Sequence, residues 1–340
     1  MLVRKIIIIN ATLLAFLAIT IWLCVHIGAT EELSSTEIDK ILFEMLSGKP
    51  VPETPAGTIV MELRLPRILM AALVGAALSL AGAAFQGLLR NPLADPYIVG
   101  TSAGAAVGGV FAIIFNVRMS FLGISSVAIL AFTGAIAAMY LIYQLSNVGG
   151  KIPTDTFLLA GVVVGSFLWA LVSFLLTLAD KSLHEVVFWL MGSTQCATYT
   201  QIIMLAVYLA IGFAGLMFYS HHLNLITMGD ETAAHLGVDV EKVKILIIVF
   251  ASLITAAAVS VAGLIGFVGL MIPHVVRILL GADHRIMFPA SLLAGAIFLA
   301  FTDTAARSLL SPREVPVGVL TAVMGAPFFL YLLRKTHSKM

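Results

Sequence analysis

The chain has 340 residues, of which 60% are hydrophobic and 11% charged, and its formal net charge is +1. Soluble domains are usually about 25% charged and less than half apolar, so this composition predicts a polytopic membrane protein with little mass outside the bilayer. The near-zero charge gives no electrostatic case for nucleic acid as a partner. The two cysteines, Cys24 and Cys196, form neither a disulfide framework nor a metal-binding pattern. Neither Gly-Lys pair is followed by Ser or Thr, so there is no P-loop with which the chain could itself hydrolyse a nucleotide.

Apolar runs predict ten membrane-spanning helices. The first, at 6–27, follows Arg4 and Lys5 and is long enough to cross a bilayer. Residues 29–63 are polar and acidic and contain several prolines, so they are expected to form a long loop on the outside. The other nine spans are predicted at 65–89, 97–116, 121–144, 156–178, 200–220, 244–263, 265–280, 287–309 and 315–333.

The two spans on either side of Leu264 could instead be one long bent helix, which would give nine spans and an external C-terminus. The charge distribution favours ten, because eleven of the 19 Lys and Arg residues then lie on the cytoplasmic side. We therefore expect an all-α polytopic membrane protein with about ten transmembrane helices, a single transmembrane domain over residues 1–340, and both termini in the cytoplasm. Glycine pairs at spacing four, Gly104/Gly108 and Gly161/Gly165, predict close helix packing.

A polar segment, His221 to Lys244, interrupts the apolar spans and is expected in the cytoplasm. It is predicted to form one short amphipathic helix with Thr227 as N-cap, Asp230 completing the capping box and Gly237 ending the helix. A solvated connector and a docking element for a cytosolic partner both fit this segment.

Three arginines are predicted at the outer membrane face. Arg64 and Arg67 flank the start of the second span, and Arg307 lies near the end of the ninth. Their side chains could extend to the membrane surface, or they could bind carboxylates of an extracytoplasmic partner. Asp303 lies four residues before Arg307, so a helical ion pair is a further interpretation. Residues 91–96 form a proline-rich turn on the inside, and no residue spacing indicates a metal site, a cofactor or a catalytic group.

Four long segments resemble the FecCD/BtuC-type permease subunits of binding-protein-dependent ABC importers for iron chelates, haem and cobalamin. They are RLPRILMAALVGAALSLAGAAFQGLLRNPLADPYIVGTSAGAAVG, GDETAAHLGV, GLIGFVGLMIPHVVR with GADHR, and EVPVGVLTAVMGAPFFLYLL. They occur in the family's order between Glu62 and Lys335. The resemblance implies a type II importer permease in the bacterial or archaeal cytoplasmic (inner) membrane. Its implied partners are a second copy of itself, two cytosolic ATP-binding subunits, an extracytoplasmic substrate-binding protein, a metal-chelate substrate and the lipid bilayer.

The same resemblance assigns roles to individual residues. It places cytoplasmic coupling helices at 221–242 and binding-protein docking at Arg64, Arg67 and Arg307. It places an inner gate at Asn91, Leu93 and Thr154. The positions implied to couple to the ATPase are Met228, Gly229, Asp230, Glu231, Ala234, Leu236 and Gly237.

The expected function is ATP-driven import, with hydrolysis carried out by the partner and not by this chain. A ferric siderophore is the favoured cargo, with cobalamin or haem as the alternative. An ion-coupled secondary transporter is a rival class, although no carboxylate is predicted near the centre of a span. An intramembrane enzyme is a third class, and it lacks a catalytic constellation.

Overall fold

A computed structural model describes residues 2–28, 33–50, 54–121, 123–311 and 313–337. The described residues are almost entirely helical, with one minimal hairpin of two-residue strands, β1 (Ser120–Phe121) and β2 (Ile124–Ser125). The helices are α1 (Leu2–His26), α2 (Ser35–Leu46), α3 (Pro55–Thr58), α4 (Leu65–Leu88), α5 (Thr101–Ile114), α6 (Ser126–Ser146), α7 (Thr154–Leu176), α8 (Leu183–Leu190), α9 (Tyr199–Phe218), α10 (Ser220–Thr227), α11 (Asp230–His235), α12 (Val240–Ala262), α13 (Val268–Leu280), α14 (His284–Ser308) and α15 (Val317–His337). A π-helical segment (Ile59–Arg64) joins α3 to α4, and a 3₁₀ helix (Pro96–Val99) precedes α5.

Helix α4 is the centre of the bundle. Nearly all of its residues are buried, and it packs against α1, α9, α12, α13 and α14. Small residues allow these close contacts, because a Cβ added at Gly75 would overlap the carbonyl oxygen of Gly295, and one at Gly82 would overlap that of Gly269. The helix that the sequence fills with glycine and alanine is therefore the one that most neighbours must approach.

The predicted glycine pairs take different positions. Gly104 and Gly108 both face α6, where an added Cβ would overlap the carbonyl oxygens of Gly134 and Leu130. Gly161 faces the carbonyl oxygen of Ile98, whereas an added Cβ at Gly165 would meet no described atom within 4 Å. Both glycines of the first pair therefore lie against the backbone of α6, whereas only Gly161 of the second pair lies against a neighbouring backbone.

Seven helices are long and apolar enough to cross a membrane, and three shorter apolar helices accompany them within the described residues. The shorter ones are α5, α13 and the segment Val317–Tyr331 of α15. Around Leu264 the chain does not continue as one bent helix. Helix α12 ends before Gly263, at φ +68°, and α13 starts after Phe267, also at φ +68°, so the glycine-rich stretch separates two helices.

The structure corrects several sequence-based boundaries. Within the predicted outer loop, residues 35–46 form α2, whose Ile38 and Ile41 are buried. Helical structure preceding the second span already begins at Pro55. The loop before the sixth predicted span contains α8, which the sequence interpretation did not include. Residues 29–32 and 51–53 of the predicted loop, and Lys339 of the predicted cytoplasmic set, lie outside the described residues.

Candidate functional site

The predicted site residues gather at the two ends of α4. Helix α4 has 24 residues, which corresponds to a length of ~36 Å. Arg64 and Arg67 lie where it begins, and Asn91 and Leu93 follow where it ends. We call these the arginine end and the α11 end.

At the α11 end the polar segment forms two short helices rather than one. Thr227 is the last residue of α10, and its hydroxyl donates to the carbonyl oxygen of Asn224 at 2.7 Å. The prediction that Thr227 caps the following helix is therefore wrong, because Gly229, at φ +128°, occupies the cap position of α11. The predicted end of the helix at Gly237 is observed, since Gly237 follows α11 with φ +85°.

Helix α11 and its flanks expose an apolar and acidic surface. Met228 is 69% exposed and Leu236 is 59% exposed. Glu231 and Ala234 are also exposed, while Ala233 points into the bundle and is buried. Large exposed apolar side chains beside a charged residue are typical of a surface that a protein partner covers.

Asp230 differs from its neighbours because two cations of the protein bind its carboxylate, although 42% of its side chain is exposed. One oxygen accepts from Arg90 at the end of α4, and the other lies 2.5 Å from Lys244 Nζ in α12. Lys244 is buried and also lies 3.5 Å from Glu241. These ion pairs therefore distinguish Asp230 from the other members of the predicted coupling set.

The predicted gate residues lie at the same end. Asn91 closes a tight turn in which its side-chain oxygen accepts from Leu93 N at 2.9 Å, and Leu93 is exposed. Thr154 starts α7 and lines a narrow gap together with Lys244. The loop before Thr154 is held to α12, because Glu241 accepts from the backbone N–H of Ile152 at 2.8 Å.

Sequence reasoning missed a capping cluster that fixes α10. Asn224 donates to Asp283 at 2.8 Å and accepts from the backbone N–H of His284 at 2.9 Å, so α10 is joined to the start of α14. The Arg285 guanidinium beside Asp283 holds the pKa of that carboxyl well below its usual range. The Asp-x-Arg pattern directly before an apolar run was the available signal.

At the arginine end, Arg64, Arg67 and Arg307 line one cavity of about 240 Å³, together with Glu314 and Gln195. All three arginines are buried, so the interpretation that Arg64 and Arg67 extend to the membrane surface is wrong. The structure does bring the three predicted docking residues together.

Arg67 is bound to two carboxylates. Its Nε lies 2.9 Å from Asp303 Oδ2, and its Nη1 lies 2.8 Å from Glu314 Oε2. Asp303 is 1% exposed and also accepts from the Thr194 hydroxyl at 2.7 Å. The expected pairing of Asp303 with Arg307 is therefore replaced by pairing with Arg67, which approaches from a different helix.

Arg64 and Arg307 both bind the C-terminal end of α1. Arg64 Nη1 donates to the carbonyl oxygen of Val25 at 2.9 Å, and Arg307 Nη2 donates to that of Cys24 at 2.6 Å. The last carbonyls of a helix have no partner within the helix and carry partial negative charge. The two guanidinium groups supply both hydrogen bonds and opposite charge, so they fix the peripheral helix α1 to the bundle.

The comparisons with known proteins agree with this architecture. The model of the FecCD transport family matches residues 16–335. The chain is 45% identical over 284 residues to the cobalamin import system permease protein BtuC of Halobacterium salinarum, which covers 84% of this chain and 75% of that protein. It is 40% identical over 284 residues to the hemin transport system permease protein HmuU of Yersinia pestis, which covers 82% of this chain and 84% of that one. A solved metal-chelate type ABC transporter in an inward-facing conformation superimposes with a TM-score of 0.82 and 32% identity, over 96% of this chain and 99% of the other.

This fold is that of an ABC importer permease, which is a multi-pass membrane transport protein. The chain belongs to the FecCD transport family. The fold class and the family expected from the sequence are therefore confirmed.

Proposed function

We propose that this protein is the membrane-spanning permease subunit of an importer for a metal chelate, driven by ATP hydrolysis in separate ATPase subunits. The observation that carries the proposal is the exposed α11 surface, with Met228 and Leu236 outward, beside the turn that holds Leu93. An ATP-driven transporter requires a surface that binds its ATPase close to its gate. The arginine cavity lies at the opposite end of α4.

The working assembly in this proposal has two copies of the chain, two cytosolic ATPase subunits and one extracytoplasmic binding protein. The α11 end faces the cytoplasm of a bacterial or archaeal cell, and both termini lie on that side of the cytoplasmic membrane. The contacts support this orientation of the ends, because the end of α1 lies against Arg64 and Arg307, so α1 starts at the α11 end.

For the cargo we propose a metal chelate, with a ferric siderophore as the first candidate. A corrinoid such as cobalamin is the second, and the 45% identity to a cobalamin permease favours it. Haem is the third, supported by 40% identity to a hemin permease. We assign cargo selection to the binding protein.

The arginine cavity enters the proposal as the docking site for the binding protein. Arg67 already holds Asp303 and Glu314, and Glu314 is the more accessible carboxylate, with 35% of its side chain exposed. A carboxylate of the binding protein would then compete with Glu314 for Arg67. Docking is thus an exchange of partners at Arg67, rather than capture by an unpaired arginine.

The ion-coupled transporter class is disfavoured by the position of Asp303. A carboxylate that carries protons or sodium must exchange them during the cycle. Asp303 is instead buried between Arg67 and Thr194, at 2.9 and 2.7 Å.

The test is reconstitution of the chain in liposomes with the ATPase and binding protein encoded beside it. ATP hydrolysis and uptake are measured with the binding protein loaded with a ferric siderophore, cobalamin or haem. Stimulation by one ligand identifies the cargo. Glu231→Lys, on the exposed face of α11, should abolish ATP-driven uptake. A chain that binds no ATPase and moves solute down an ion gradient would overturn the proposal.

A further inference from the structure

Asp230 is held by two cations, one directly after α4 and the other in α12. Its Oδ1 accepts from Arg90 Nη2, directly after α4, and its Oδ2 lies 2.5 Å from Lys244 Nζ in α12. Arg90 Nε also donates to the carbonyl oxygen of Ile226, in the last turn of α10, at 3.0 Å. Both short helices are therefore attached to the end of the central helix through one guanidinium.

We propose that Asp230 is the positioning residue that transmits movement of α11 to α4 and α12, and that it does not form part of the surface that contacts the ATPase. This inference rests on the proposed function. It divides the seven predicted coupling residues into an outward surface, represented by Met228, Glu231 and Leu236, and one partly exposed residue, Asp230, whose carboxylate is bound by Arg90 and Lys244.

The backbone at Arg90 gives independent support. Arg90 has φ +49°, in the left-handed region that normally selects glycine or asparagine after a helix. A side chain in this conformation costs roughly 1 kcal/mol or more. Glycine would form the same turn without that cost. The presence of arginine therefore indicates that its side chain, which reaches Ile226 and Asp230, has a role at this point.

Burial of Lys244 makes the link stiff. Its side chain is 6% exposed, and it lies within reach of Asp230 at 2.5 Å and Glu241 at 3.5 Å. Glu241 in turn accepts from Ile152 N, one residue before the Pro153 that precedes Thr154 and α7. A buried ammonium keeps its carboxylate partners because separation would leave an uncompensated charge. A displacement of α11 therefore carries α12 and the start of α7 with it.

The connection continues along α4 to helix α13, which contains Pro273. Gln86 lies one turn before Arg90 and donates through Nε2 to the carbonyl oxygen of Leu270 at 3.1 Å. Pro273 lies inside α13 and has no backbone N–H, so the carbonyl of Gly269 lacks its usual helical donor. Gln86 Nε2 lies 3.5 Å from that carbonyl as well. The end of α4 thus joins the α11 contacts to the backbone of α13 just before Pro273.

The test compares Asp230→Asn with Glu231→Gln in the complete complex of permease, ATPase and binding protein. Asp230→Asn keeps the shape of the side chain and removes its charge. We expect it to retain ATPase binding and to lower the uptake per ATP hydrolysed roughly 2- to 30-fold, the range for residues along a coupling network. Glu231→Gln should instead weaken ATPase binding, which Asp230→Asn leaves intact.

A double-mutant cycle distinguishes transmission from a general loss of folding. Arg90→Gln should lower uptake per ATP as Asp230→Asn does, and the double variant should be little worse than either single one. Asp230→Glu, which keeps the charge, should restore part of the uptake. Additive losses, unchanged uptake in Asp230→Asn, or loss of ATPase binding in Asp230→Asn alone would each overturn the inference. A wild-type chain that binds no ATPase would instead refute the proposed function.

Discussion

Replacement of Asp303 by asparagine should destabilise the protein far more than the same change at Glu314, although both carboxylates bind Arg67. Asp303 is 1% exposed and accepts from Arg67 Nε at 2.9 Å, from Arg67 Nη2 at 3.3 Å and from the Thr194 hydroxyl at 2.7 Å. Removing one partner of a buried pair leaves an uncompensated charge and costs about 3–5 kcal/mol. Glu314 has 35% of its side chain exposed, so Glu314→Gln should cost about 1 kcal/mol or less.

The measurement is the apparent melting midpoint of each purified variant in the same detergent. A loss of 3–5 kcal/mol corresponds to a decrease of roughly 5–10 °C for Asp303→Asn, and Glu314→Gln should remain close to the wild type. Thr194→Val, which removes one hydrogen bond of about 1 kcal/mol, should lie between them. Equal shifts for Asp303→Asn and Glu314→Gln would refute the reasoning, because burial would then not determine how much each ion pair of Arg67 contributes to stability.

Three further outcomes follow from the contacts. Gly82→Leu should lower the stability by about 1–3 kcal/mol or more, because its Cβ would overlap the backbone of α13, whereas Gly165→Leu should be tolerated. The monodispersity of both variants in detergent checks this. Equal behaviour of the two variants would contradict the packing argument. Burial raises the pKa of Asp95 from 3.8 to about 6, so its charged form is disfavoured in the folded state. The contribution of Asp95 to stability should therefore increase as the pH falls from 7 towards 4, by at most about 3 kcal/mol. The difference between the melting midpoints of the wild type and Asp95→Asn should follow this change, and a difference that is independent of pH would contradict it. Glu314→Gln should strengthen docking of the binding protein several-fold by releasing a donor of Arg67, and weaker binding in a pull-down titration would count against partner exchange.

The overall architecture was predictable because membrane spans depend on local hydropathy. The glycines and alanines of α4 were an available signal for its central position, since small residues have no use on a lipid-facing surface, but the sequence analysis did not predict which helix would be central. Helix α2 was missed although its signal was present. Ser34 accepts from the backbone N–H of Glu37 at 3.3 Å, a capping interaction that the sequence Ser-x-x-Glu announces, but the surrounding prolines and acids favoured a loop.

In the polar segment, one residue changes the structure that the sequence pattern predicted. The acids of this segment, its amphipathic pattern and its final glycine were all recognised from the sequence. Thr227 and Asp230 match a capping box, yet Gly229 stands between them with φ +128° and breaks the helix there. A capping box needs continuous helical backbone after its first residue, so the glycine turns one expected helix into two.

The partners of charged side chains were the least predictable feature, because hydropathy and spacing describe only one helix at a time. Asp303 lies one turn before Arg307, which made that pair the natural expectation, yet its partner is Arg67, 236 residues away in sequence. Arg307 instead binds a carbonyl oxygen of α1. The same applies to Asp230, since its position in α11 resembles that of Glu231, while only the packed bundle places Lys244 and Arg90 against it. Charge, burial and partner must therefore be considered together before an arginine or a carboxylate is assigned to an interface. On that basis the outward surface of α11 remains the surface that we propose for the ATPase. Asp230 and Arg67 already have partners within the chain, so in our proposals they act in transport through those partners.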